Sequence, residues 1–159
     1  MDTYKNIVSV FGKDGAATID SLGNKRIIIN DLRENDVEHY SEKRWLFTLF
    51  HECGHFALEH LNHKDCLRLS RGLYDTFERE ADVFATNFLM PMQGIEKKVS
   101  PIIKLLGHID CCQLGELATY FNVSWSAIIK RLHDLEIQDS DTSKFLINTY
   151  HGRKYGFEY

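Results

Sequence analysis

The chain has 159 residues, 43% hydrophobic and 26% charged, with four cysteines and two prolines. These proportions match a soluble globular domain, with or without a small appendage, and exclude disorder, collagen-like repeats and disulfide-stapled miniproteins. Nineteen basic against 23 acidic residues give a net charge of −4, which offers no general attraction to nucleic acid or anionic membrane. No apolar run approaches the roughly 18–20 residues that a membrane span needs. The first residues also lack the basic-then-apolar pattern of a secretory signal, so a reducing, cytoplasmic setting is expected.

Taken in chain order, the first pattern is a hairpin. β-Branched runs at 15–20 and 26–30 flank the turn-rich Ser21-Leu-Gly-Asn24. The strand Arg26-Ile-Ile-Ile-Asn30 could remain an ordinary hairpin strand or pair with an extended peptide. Residues 41–61 read as a long helix with Ser41 as N-cap, since Leu46, Leu49, Phe50, Cys53, Phe56 and Ala57 recur at steps of three and four. A second helix spans 76–90, with Phe77, Ala81, Phe84, Ala85 and Phe88 on one stripe and Pro91 closing it. Pro91 and Pro101 bracket a seam, dividing the chain into 1–100 and 101–159. Beyond it, helices over 113–121 and 124–135 with the tight turn Asn122-Val123 have the spacing of a helix-turn-helix unit. The tail from Ile137 is polar and then aromatic, with no clear periodicity.

The first helix carries His51-Glu52-Cys53-Gly54-His55, an HExxH element. Histidines four apart lie on one helix face about one turn apart, so both rings can reach a single Zn²⁺ at roughly 2.0–2.1 Å. Glu52 is offset beside them, where it can take a proton from a water acidified by the metal. Zinc needs a third protein ligand and one open position. A histidine six residues after His55 would complete the metzincin signature, but Leu61 stands there. His60 and His63 are expected at a solvated helix end, with His60 pointing away on an ideal helix. The second helix offers Glu78-Arg-Glu-Ala-Asp82, where Glu78 and Asp82 share a face at one-turn spacing. Glu78 suits the third ligand, and Asp82 could accept a hydrogen bond from a ligand imidazole. Glu80 is the rival, rotated about 200° from Glu78 and lacking an Asp one turn on. Its removal is expected to change metal binding little.

The string Arg44-Trp-Leu-Phe-Thr-Leu-Phe-His-Glu-Cys-Gly-His55, followed by Glu78-Arg-Glu-Ala-Asp-Val-Phe-Ala-Thr-Asn-Phe-Leu-Met-Pro91, resembles the ImmA/IrrE family of zinc metallopeptidases. The second string is the more specific part, and the likeness covers about 15–135. It implies a gluzincin-like ligand set of His51, His55 and Glu78, with Asp82 behind them in a position where many members carry Asn. It also implies an α+β fold: a small zincin-like metallopeptidase domain of hairpin, HExxH helix and glutamate helix, with an appended helix-turn-helix-like module. The implied substrate is a helix-turn-helix repressor of a mobile element or stress regulon, encoded nearby.

Two other classes compete with a zinc endopeptidase. One is a non-proteolytic zinc-binding partner that regulates a repressor, which would have no use for Glu52 as a base. The other is a DNA-binding regulator, which the acidic balance from Asp110 onward disfavours: five basic against seven acidic residues. On the candidate recognition helix, only Ser126, Lys130 and Arg131 offer polar contacts. Cys53 reads as a small hydrophobe, while Cys66 and the adjacent Cys111-Cys112 lack metal-site spacing. Tyr74, His133 and His151 are candidates for an electrophilic group beside the metal.

Overall fold

A computed structural model describes residues 14–20, 22–29, 42–62 and 71–154. The expected N-cap at Ser41, together with His63, Cys66 and the aromatic end of the tail, lies outside them. The chain divides into two compact units, Met1–Phe88 and Leu89–Tyr159. Among the described residues, no helix is long and apolar enough to cross a membrane.

The first unit opens with the hairpin expected from the sequence. β1 (Gly15–Ile19) pairs antiparallel with β2 (Lys25–Ile29), with Gly15 opposite Ile29 and Ile19 opposite Lys25. Asp20 organises the turn: its carboxylate accepts from the backbone N–H of Leu22 and of Asn24, both at 2.9 Å, and from the Arg26 guanidinium at 3.0 Å. Gly23 adopts φ +81°, a left-handed conformation that a side chain would disfavour.

Helix α1 (Glu42–Ala57) packs against both strands and carries the HExxH element. It ends four residues earlier than its apolar pattern suggests. Glu59 takes φ 59°, and the chain then folds into a short 3₁₀ turn, His60–Asn62. Helix α2 (Arg71–Leu89) starts five residues before the expected Thr76. Its buried stripe is built on Ala81 and Ala85, both fully covered, whereas Phe88 is exposed and stacks on Phe50 at 4.1 Å between ring centroids.

The second unit is helical. Helix α3 (Met92–Leu106) runs straight through Pro101, where the sequence suggested a seam. The proline is exposed, and the inward positions Ile95 and Val99 hold the helix against the core. Helix α4 (Cys111–Tyr120) begins with a capping box between Asp110 and Gln113, and α5 (Trp125–Asp134) is capped by Ser124. Between them Asn122 takes φ 52°, letting the Val123 N–H reach the Ala118 carbonyl at 2.9 Å. Leu114, Leu117, Val123, Ile128, Ile129 and Leu132 form the centre of this unit's core, joined by Leu146 from α6 (Ser140–Lys154). Each such side chain fully withdrawn from water contributes about 1.5–3 kcal/mol.

Candidate metal centre

Three side chains from two helices converge in the first unit. His51 and His55 lie one turn apart on α1, and Glu78 reaches them from α2. The two Nε2 atoms stand 3.0 Å apart. Glu78 brings Oε2 to 3.3 Å from His51 Nε2 and Oε1 to 3.5 Å from His55 Nε2. Donors around a tetrahedral zinc with bonds of about 2.0–2.1 Å stand about 3.3 Å from one another. The spacing and the nitrogen–nitrogen–oxygen donor set therefore fit a metal ion of this kind.

Close packing of the helices makes this convergence possible. Gly54 lies between the histidines on α1, and a Cβ there would stand 3.1 Å from the Ala81 Cα of α2. Only two small residues at the crossing let Glu78, three positions before Ala81, come within reach of both rings.

Each donor has a further partner. His51 Nδ1 lies 2.9 Å from Asp82 Oδ1, leaving Nε2 to face the cluster. Glu78 accepts a hydrogen bond from the Tyr74 hydroxyl. His55 Nδ1 meets His60 Nδ1 at 2.9 Å. His60 thus departs from expectation: it is buried, not solvated, because the turn at Glu59 folds it back under α1. Glu80 stays outside the donor cluster and bonds His60 Nε2 at 3.0 Å. His133, by contrast, belongs to the second unit and bonds Ser140 there.

Glu52 is buried beside the donors, and its carboxylate accepts a hydrogen bond from the Ala17 N–H of β1. Strand and helix touch closely here, since a Cβ on Gly15 would stand 2.7 Å from Thr48 Cγ2 and 3.1 Å from Glu52 Oε1. Burial raises the Glu52 pKa to about 7, with the His51 charge opposing and the Glu78 charge assisting. For His51 burial acts downward, but hydrogen bonds to Asp82 and Glu78 prevail and raise it to about 9. Burial and the neighbouring His51 charge hold His55 well below the usual imidazole range. Glu78 is lowered, chiefly by its hydrogen bond with His51.

A family model for the M78 peptidases, described as an IrrE N-terminal-like domain, matches residues 6–133. The chain belongs to the ImmA/IrrE family. Nothing matches it among curated proteins or among solved structures. The M78 match spans the hairpin, both site helices and α3 through most of α5. Membership in a metallopeptidase family and a His–His–Glu cluster able to hold a metal point the same way.

Proposed function

We propose that this M78 chain is a zinc-dependent endopeptidase in which His51, His55 and Glu78 hold the metal and Glu52 is the general base. The observation that carries the reading is the buried Glu52 carboxylate beside a His–His–Glu donor set. Zinc bound there supplies a Lewis acid that lowers the pKa of water toward about 7 and polarises a peptide carbonyl. The protein's own residues do the rest. Glu52 would accept a proton at its carboxylate and return it to the leaving amine. The Ala17 N–H fixes the orientation of that carboxylate. Asp82 holds His51 with Nε2 toward the donors, and Tyr74 occupies one lone pair of Glu78.

The substrate class in this reading is a helix-turn-helix repressor encoded near the chain's own gene, as the family resemblance implies. The α4–turn–α5 segment is read as a helix-turn-helix-like module that docks protein. The test is Glu52→Gln. It should retain one zinc per chain by metal analysis yet leave the neighbouring repressor uncut by mass spectrometry, while His51→Ala loses metal and activity together. Wild-type cleavage by Glu52→Gln would overturn the assigned base.

A further inference from the structure

The contact between His55 and His60 has consequences for where protons sit. Two ring nitrogens 2.9 Å apart need one proton between them, so one ring donates and the other accepts. His60 is 4% exposed, and its other nitrogen is 3.0 Å from the Glu80 carboxylate. Its ring lies flat on Phe77, with centroids 4.3 Å apart and planes 5° from parallel. The imidazole is thus clamped on a face and at both nitrogens.

With His55 and His60 both neutral, one arrangement satisfies the His55–His60 and His60–Glu80 contacts together. A carboxylate accepts, so His60 carries its hydrogen on Nε2 and donates to Glu80. Its Nδ1 is then bare and accepts from His55 Nδ1–H. That leaves His55 Nε2 bare, facing His51 and Glu78. The reverse arrangement, with His60 donating from Nδ1, would point a bare Nε2 at a carboxylate and move the His55 hydrogen onto Nε2. We propose that His60 and Glu80 are positioning residues that fix the tautomer and ring orientation of His55, so that its Nε2 is kept bare toward the donor cluster. Asp82 stands against His51 in the same relation, but His55 is served through a two-residue relay from the 3₁₀ turn and α2. The proposal rests on reading His55 as a metal ligand.

The test uses the full chain with ¹⁵N-labelled histidine. In the metal-free protein, long-range ¹H–¹⁵N correlation should show His60 as the Nε2–H tautomer and His55 as Nδ1–H; a His60 Nδ1–H tautomer would overturn the proposal. Zinc affinity by chelator competition should fall about 10–100-fold in Glu80→Ala, as losses behind a metal ligand do. Glu80→Gln, whose carbonyl oxygen can still accept from His60 Nε2–H, should recover most of it. The Co²⁺ absorption bands should shift in Glu80→Ala and return in Glu80→Gln. Glu80 is half-exposed, so Glu80→Ala tests the relay without opening the core, with circular dichroism as the folding check. Wild-type affinity in Glu80→Ala, alongside loss of zinc in His55→Ala, would overturn the relay alone. Zinc retained by His55→Ala would instead overturn the ligand reading.

Discussion

Two imidazoles with Nε2 atoms 3.0 Å apart cannot both hold a proton there, and the surroundings decide which one does. His51 faces Asp82 and Glu78 and keeps its charge up to about pH 9, while burial and that charge keep His55 neutral. A metal ion needs a bare Nε2 on both rings, so near neutral pH it must expel the proton of His51. Apparent zinc affinity should therefore rise about tenfold per pH unit toward pH 9 and level off above it, the direction expected when binding releases one proton. Below about 7 Glu52 is protonated as well. A dication beside it favours its charged form, so a second proton leaves and the dependence steepens on the acid side. Calorimetry of zinc binding in buffers of differing ionisation enthalpy counts these protons. Release of none near neutral pH would contradict the assigned state of His51. Asp82→Asn should move the levelling point to lower pH, because the His51 charge loses its strongest partner.

At the scale of elements, the crossing of α1 and α2 at Gly54 and Ala81 sets the donor geometry. Gly54→Ala would put a methyl 3.1–3.2 Å from the Ala81 backbone and the Phe84 side chain, and a backbone atom cannot yield as a flexible side chain can. Such overpacking costs about 1–3 kcal/mol. Because the helices must separate where Glu78 is aimed, zinc affinity should fall along with the urea midpoint. An unchanged midpoint with wild-type affinity would show that the crossing tolerates the methyl group. Both site helices were legible in the sequence because their apolar residues repeat at the helical period, and HExxH and ExxxD then assign faces to the polar ones. Three features were not legible, each for a local reason. Nothing in Leu58-Glu59 announces a left-handed residue, so an ideal helix continued through His60 and turned it away from the site. That continuation also hid the contact between His60 Nε2 and Glu80. Pro101 read as one edge of a seam, although an exposed position late in α3 tolerates it while Ile95 and Val99 pack inward. Finally, α6 lacks an apolar stripe of the kind that reveals α1 and α2, although Leu146 reaches the core.

At the scale of the whole molecule, the question is what the second unit binds. Non-specific affinity for duplex DNA comes from neutralising phosphates, so it follows the number of basic side chains that can reach them. Residues 89–159 carry eight basic and eight acidic side chains, leaving no surplus for that purpose. The structure then removes one of the three polar contacts that the sequence offered on α5. Arg131 is buried, and its Nε donates to the Met90 carbonyl at 3.1 Å, so its guanidinium serves the unit's own core. Ser126 and Lys130 remain exposed, and the Ser126 hydroxyl is engaged by Ser124. One lysine and one serine cannot supply the six to ten phosphate contacts of a strong DNA binder. The purified chain should therefore bind duplex DNA at about 0.15 M salt no more tightly than the roughly 10⁻⁴–10⁻⁶ M of non-specific contacts. Its affinity should also change only weakly with salt, with a logarithmic slope of about −1 to −2. Fluorescence anisotropy with the promoter fragment beside the gene, against a scrambled duplex, measures both quantities. Sequence-selective nanomolar binding would sink the protein-docking reading of α4 and α5 and make the second unit a DNA reader.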